Sequence, residues 1–212
     1  MKLVFRKVNT ELYRGSEDRF IQMLYPDRRE KVEQLKYVSG KHVSIEAGLI
    51  LQEAVESELG LKPENIRIIR GKNGKPYIEG YEDFCFNLSH SGDYVALVYG
   101  DRQLGIDMEQ LKQKNIRERD IKVAKRCFTE TECAYVTGGD EESFFEIWTM
   151  KESYLKYTGQ GISVPLNSFE VAPGEMAAYE IKEDGRRLKL PVRYDMSRRE
   201  SCIITVCYGE DG

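Results

Sequence analysis

Asp107-Met108-Glu109 sets two carboxylates two residues apart in the run Leu104-Gly105-Ile106-Asp107-Met108-Glu109. In a strand such residues project from the same face, while Ile106 and Met108 turn to a core. Convergent carboxylates suit a hard cation such as Mg²⁺, which completes its octahedron with water and substrate phosphate. A D-x-E triplet alone carries little weight in a chain with 36 acidic residues. Glu152 adds a third oxygen ligand. It lies in the run Trp148 to Lys156, where Trp148, Glu152 and Lys156 stand four apart and rise along one helical face. A Glu–Lys pair at that spacing is otherwise ordinary on a solvated helix. Here the chain's only tryptophan anchors the same face, which places the pair at the rim of a buried surface.

Two more groups suit anions. In Asn87-Leu88-Ser89-His90-Ser91-Gly92 the adjacent Ser and His do not face one another on an extended chain, and G-x-S-x-G is absent, which argues against a hydrolase elbow. The run reads as a strand-end loop offering hydroxyls, a backbone N–H and an imidazole to an anion, or as a polar turn with a satisfied histidine. The basic set Arg28, Lys31, Lys75 and Lys156, joined by His90, suits a ligand with several phosphates. Arg28 and Lys31 also fit a solvated helix face.

Positioning these groups takes an opening strand over Met1 to Val8 and helical pattern from Glu17 to about Val38, with a second helix starting at Pro26. Phe20, Met23, Leu24, Val32 and Leu35 are expected to face inward. A longer helix runs from about Gly40 to Leu59, its core side on Ile45, Leu49, Val55 and Leu59, stopped by Gly60 and Pro63. Short strands at Ile66 to Ile69 and Tyr77-Ile78 flank the turn Gly71 to Pro76. Phe84 to Leu88, Tyr94 to Tyr99 and Leu104 to Glu109 follow. Helices are expected over Asn115 to Cys127, Glu130 to Val136 and Asp140 to Thr158, the last capped by Asp140 and stopped by Gly159. Phe144, Ile147, Trp148, Met150 and Leu155 form its apolar side. From Phe169 the pieces Tyr179 to Ile181, Leu188 to Tyr194 and Cys202 to Tyr208 read as antiparallel strands. The fold class is α+β, with two halves meeting near Asp101 and no internal sequence repeat.

At 212 residues, 41% apolar and 32% charged, the composition is that of a soluble globular protein. A net charge of −4 and a pI near 5.5 argue against generic nucleic-acid binding. The start, Met1 to Arg6, is too briefly apolar for a signal peptide, and no run approaches a membrane span, so the expectation is a cytoplasmic chain without a membrane partner. Five cysteines cannot all pair, none lies in C-x-x-C, and only His42 and His90 accompany them. Reduced, mostly buried thiols are expected rather than a zinc site.

The motifs G-K-P at Gly74 to Pro76, N-x-S-H-S at Asn87 to Ser91, G-I-D-x-E at Gly105 to Glu109, F-x-x-x-E at Phe128 to Glu132 and W-x-x-K-E-S-x-x-K at Trp148 to Lys156 together resemble the 4′-phosphopantetheinyl transferases. Order, spacing and length resemble the larger, surfactin-synthetase-activating type, in which one chain contains two similar halves. The last motif with G-I-D-x-E is the specific part; N-x-S-H-S and G-K-P alone would not carry the resemblance.

The resemblance implies two similar α+β halves, 1–101 with the coenzyme A-binding residues and 102–212 with the metal and catalytic residues, related by a pseudo-two-fold with the active site at their interface. It implies transfer of the phosphopantetheine arm of coenzyme A onto a serine of an apo acyl or peptidyl carrier protein, releasing 3′,5′-ADP. Asp107, Glu109 and Glu152 would hold Mg²⁺, or Mn²⁺, against the pyrophosphate. Lys156 would neutralise charge developing on the attacked phosphate, and Glu152 is the candidate for taking the serine proton. Lys75, Pro76 and Ser89 would position the ligand, and His90, Arg28 and Lys31 would lie near the 3′-phosphate. Related enzymes often carry arginine before the Ser/Thr of the second helix, whereas Val43 precedes Ser44 here; Lys41 stands close enough in sequence to substitute. The basic stretch Lys112 to Arg126, with Lys114, Arg117, Arg119, Lys122, Lys125 and Arg126, offers a docking face for an acidic carrier or a plain solvated helix. A monomer is expected. Two alternatives differ in class. Another Mg²⁺-dependent phosphate enzyme could use the same carboxylates, but a Walker-type G-x-x-x-x-G-K-[ST] and a second carboxylate cluster are absent. An inactive coenzyme A- or carrier-binding module would not need Lys156 and all three acids.

Overall fold

The computed structural model describes residues 1–71, 74–111, 117–161, 164–182 and 184–210. The chain divides into two compact units, Met1–Asp101 and Arg102–Gly212.

The first unit runs β1 (Lys2–Lys7), α1 (Thr10–Tyr13), α2 (Glu17–Gln22), α3 (Pro26–Glu33), α4 (Val38–Leu59), β2 (Ile68–Arg70), β3 (Pro76–Ile78), β4 (Cys85–Ser91) and β5 (Tyr94–Gly100). Its strands pair antiparallel in the order β1-β5-β4, with β2 and β3 forming a separate two-stranded ribbon. Pro26 fixes the start of α3, and Gly60, at φ 68°, ends α4. The long helix packs against β5 on one side and against α1, α2 and α3 on others. That explains a difference from expectation. Ile45 and Val55 are buried as expected, but so are Ile50, Leu51 and Ala54, while Leu49 and Leu59 are only half-buried. A helix covered on several sides has no single apolar stripe. Met23 is half-exposed and Ile21 takes the inward position, because α2 ends at Gln22. A Cβ on Gly48 would lie 2.7 Å from Leu24 and 2.8 Å from the Arg28 side chain, so glycine lets α3 sit directly on α4.

The expected strand-end loop at Ser89 to Ser91 is strand instead. β4 pairs with β5 residue by residue through Ser91↔Tyr94, and the hairpin turns at Gly92, φ 55°. The strand expected over Ile66 to Ile69 is shifted: Ile66 follows a 3₁₀ turn and is fully buried, and β2 begins at Ile68.

The second unit runs β6 (Leu104–Gln110), α5 (Arg117–Cys127), α6 (Glu130–Gly138), α7 (Ser143–Thr158), β7 (Phe169–Ala172), β8 (Ala177–Ile181), β9 (Arg187–Lys189), β10 (Val192–Arg199) and β11 (Cys202–Gly209). Two antiparallel sheets have the orders β10-β11-β6 and β7-β8-β9. The strand expected over Leu188 to Tyr194 is broken at Leu190-Pro191, so β9 and β10 belong to different sheets. Proline cannot donate to a ladder. The expected start of the α5 helix, Asn115, lies outside the described residues, as do Lys112 and Lys114.

Helix α7 begins at Ser143 with Glu142, not Asp140, at its N-cap; Asp140 lies just before it, its Oδ1 accepting the amides of Glu142 and Ser143 at 2.9 and 3.1 Å. Gly159, at φ 72°, closes its far end. Phe144, Ile147, Met150 and Leu155 are buried in the core of this unit, with Trp148 packed beside them. All five cysteines are free; Cys202 and Cys207 are buried and the other three half-buried, fewer than expected.

Candidate active site

Strand β6 and helix α7 carry the acidic group, within the second unit. Alternation along β6 puts Gly105, Asp107 and Glu109 on the face against α7, and Leu104, Ile106 and Met108 on the other, all three fully buried. A Cβ at Gly105 would be driven into the Ser153 carbonyl and the Tyr157 amide. Glycine there allows the helix to lie on the strand, so that Lys156 Nζ reaches Asp107 Oδ1 at 2.6 Å. Glu152 is half-buried one turn earlier. Burial raises its carboxyl above the ordinary range, the Asp107 carboxylate raises it further, Lys156 opposes, and Glu109 adds to the rise. The expected four residues are therefore brought together. Among the described residues, however, no three carboxylate, imidazole or thiol side chains are gathered into a metal cage. Asp107 is turned onto Lys156. The donor chemistry fits a hard dication: three carboxylates offering oxygen ligands only, with Asp107 and Glu109 acting on Glu152.

Helix α3 and the β2–β3 ribbon carry a basic group of their own, within the first unit. Arg28 lies over α4, its Nη1 3.5 Å from Ser44 Oγ and its Nε donating to Tyr25 Oη at 3.2 Å. Asp27 Oδ2 accepts the Ile68 amide at 3.1 Å, which ties α3 to β2. The Lys31 ammonium is lowered by burial first, then by Arg28 and Arg70. Arg70 was not among the residues expected from sequence. Its signal is strand parity with Ile68, and its Nη1 donates to the Gly74 carbonyl at 2.9 Å. Gly74 has φ 77°, and the Gly71 amide closes the turn on the Lys75 carbonyl at 2.9 Å. Lys75 is buried and Pro76 opens β3. Ser89 and His90 occupy successive positions on β4 and project from opposite faces. His90 is exposed on the side of Phe86 and Leu88, and Ser89 is buried on the side of Asn87. Lys41, half-buried, stands one turn before Ser44 on the same stripe of α4, while Val43 packs against the core of the unit.

The model of the 4′-phosphopantetheinyl transferase superfamily matches residues 103–207, and that of the N-terminal part of 4′-phosphopantetheinyl transferases matches 15–101. A 4′-phosphopantetheinyl transferase of Bacillus subtilis is 31% identical over 196 residues, covering 90% of this chain and 82% of its own length. This chain belongs to the 4′-phosphopantetheinyl transferase superfamily. The 4′-phosphopantetheinyl transferase Sfp of Bacillus subtilis strain 168 is 30% identical over 175 residues, 81% of this chain and 76% of the relative. More distant is the L-aminoadipate-semialdehyde dehydrogenase-phosphopantetheinyl transferase of Rattus norvegicus, 26% identical over 182 residues, 78% of this chain and 59% of the relative.

Behind Glu152, this transferase carries a buried charge that sequence reasoning passed over. Lys151 is fully buried. Its Nζ lies 2.7 Å from Glu132 Oε1 and donates to the Leu166 and Phe169 carbonyls at 2.7 and 2.6 Å. Glu132, the acid of F-x-x-x-E, also accepts the Val171 amide at 2.7 Å and closes the capping box that starts α6. The back of α7 is thereby fixed to β7 while its front presents Glu152 and Lys156.

The raised Glu152 carboxyl has a stability consequence. A carboxyl whose folded pKa exceeds its unfolded value makes its ionised form costly above that folded pKa, and the cost fades as pH falls through it. Glu152→Gln is therefore expected to raise the unfolding temperature of EDTA-treated protein at neutral pH, with the gap narrowing in acid. Thermal unfolding across pH checks this; a variant no more stable than wild type at any pH contradicts it.

Proposed function

We propose that this transferase uses Asp107, Glu109 and Glu152 to hold Mg²⁺, with Mn²⁺ able to replace it, against the pyrophosphate of coenzyme A, and modifies a serine of an apo acyl or peptidyl carrier protein. The observation that carries this reading is the convergence of Lys156, Asp107 and Glu152, with Glu109 beside them, where α7 rests on Gly105. In the reaction the serine oxygen attacks the phosphorus next to the pantetheine arm. The bond from that phosphorus to the bridging oxygen breaks, and 3′,5′-ADP leaves. Glu152, half-buried beside the attacked phosphate's cation site, accepts the serine proton. Lys156 neutralises charge that builds on the attacked phosphate. When bound, the cation neutralises pyrophosphate charge and strengthens 3′,5′-ADP as a leaving group. Arg28, Lys31 and His90 take the 3′-phosphate, with Arg70 added to them by its place beside Lys31, and Lys75, Pro76 and Ser89 position the nucleotide. Release of 3′,5′-ADP in step with loss of apo carrier, followed by chromatography, tests the reaction; coenzyme A consumption without carrier modification would contradict it.

Lys41 substitutes for the arginine that related enzymes place at the position of Val43. Lys41→Ala should raise KM for coenzyme A several-fold and leave that for dephospho-coenzyme A unchanged; equal values for mutant and wild type would remove the substitution from the account. For the carrier, α5 presents exposed Arg119, Lys122, Lys125 and Arg126 opposite a side that carries Ala124. Reversing Lys122 and Lys125 to glutamate should raise carrier KM at low salt and spare coenzyme A binding. Equal effects on both substrates would argue for a structural role. No helix among the described residues is long and apolar enough to cross a membrane. The reading is of a monomer acting in the cytoplasm, for which light scattering should give the mass of one chain.

A further inference from the structure

Lys156 holds an unusual place for a residue whose partner in the reaction is a phosphate. Its ammonium lies 2.6 Å from Asp107 Oδ1, reaching from a side chain 31% exposed to one 9% exposed. It is the cation that acts on Glu152 against the Asp107 and Glu109 carboxylates. The backbone gives it no freedom to retreat. Gly105 seats β6 against the Ser153 and Tyr157 backbone on either side of Lys156, and Gln103 Nε2 donates to the Tyr157 carbonyl at the end of the same helix. Any change of partner must therefore come from rotation of the lysine side chain.

A dication on Asp107 and an ammonium on Asp107 repel each other across one carboxylate. Metal arriving alone would leave Lys156 only Glu109 and Glu152, carboxylates the metal would itself engage, so its displacement calls for a separate anion. A pyrophosphate arriving with the metal supplies that anion. We propose that Lys156 is the resident counter-ion of the acidic site, holding Asp107 until metal and the coenzyme A pyrophosphate arrive together, so that the two bind cooperatively through it. The inference rests on the reading of Asp107, Glu109 and Glu152 as metal ligands. It accounts for the absence of a formed three-carboxylate cage among the described residues, since Asp107 is engaged by Lys156. It also couples the two ligands: coenzyme A raises the affinity for the cation, and by linkage the cation raises the affinity for coenzyme A by the same factor.

The test is Mn²⁺ binding, read as loss of the free-ion signal in electron paramagnetic resonance, to intact wild type, Lys156→Met and Asp107→Asn, with and without coenzyme A. Binding of Mn²⁺ by coenzyme A itself is subtracted. Without coenzyme A, Lys156→Met should bind Mn²⁺ about tenfold more tightly than wild type, because a neighbouring positive charge has gone. Coenzyme A should then tighten Mn²⁺ binding by a smaller factor in Lys156→Met than in wild type. Lys156→Gln supplies the same comparison should the methionine variant fail to fold. If Asp107→Asn weakens Mn²⁺ binding but neither Lys156 variant tightens it, the counter-ion role is overturned and the metal reading stands. If Asp107→Asn binds Mn²⁺ as wild type does, the metal reading fails and the inference fails with it.

Discussion

Glu152→Ala is expected to leave a folded protein that still binds coenzyme A and transfers phosphopantetheine at less than about a thousandth of the wild-type rate. The size follows from the residue's two tasks, holding the cation and accepting the serine proton, which one truncation removes together. Its surroundings are built for neither solvent exposure nor substitution. The carboxylate is half-buried within electrostatic reach of Asp107 and Glu109, with Lys156 one turn along the same helix. Glu152→Gln should be almost as slow despite its shape, since an amide neither binds the cation well nor accepts a proton. Single-turnover transfer at saturating coenzyme A and carrier measures the effect on kcat. A Glu152→Ala enzyme within tenfold of wild type would remove Glu152 from both roles.

Lys151→Ala is expected to cost the second unit about 3–5 kcal/mol, the usual range for breaking a buried ion pair from one side. The ammonium is lowered by burial, with the Glu132 carboxylate opposing, and it rests 4.2 Å from the centre of the Phe169 ring. Its removal leaves Glu132 as a buried carboxylate and frees the Leu166 and Phe169 carbonyls. Trp148, stacked on Phe144 at 5.7 Å, reports unfolding of this unit by fluorescence without any added label. Denaturant midpoints should fall steeply in Lys151→Ala. Replacing both partners, as Lys151→Met with Glu132→Gln, should recover part of the loss, because no uncompensated charge remains. A single variant as stable as wild type would show that the pair contributes nothing.

How far the sequence alone reached differs between the acidic and the basic groups of residues. The acidic group was legible because its signals are local. The period of two along β6 predicts that Asp107 and Glu109 share a face, the period of α7 aligns Glu152 with Lys156, and Asp140 and Gly159 bound the helix. That Gly105 is the residue letting strand and helix touch is a long-range fact, with no local cue beyond the glycine itself. The basic group was less legible. The polar run Ser89-His90-Ser91 has the composition of a loop, yet pairing with β5 extends it as strand and sends Ser89 and His90 to opposite faces. Arg70 escaped notice because what matters is the Asp27–Ile68 bond joining segments 41 residues apart. Lys151 is the first lysine of W-x-x-K-E-S-x-x-K, but no local pattern gives it a role; its burial depends on Glu132 and on carbonyls beyond the helix end. Met23 and Leu190-Pro191 show the same limit. Where a helix is one or two turns long, or a proline divides a strand, periodicity has too few residues to assign a face.

The central claim, carrier modification at a metal-dependent site built on Asp107, Glu109 and Glu152, is tested most directly by intact-mass spectrometry of an apo carrier protein incubated with this transferase, coenzyme A and Mg²⁺. The account predicts a gain of one phosphopantetheine per carrier, lost with EDTA and lost in Glu152→Ala. A gain that persists undiminished with EDTA and in Glu152→Ala would contradict the site. No gain on acyl or peptidyl carriers, with coenzyme A still bound, would contradict the function.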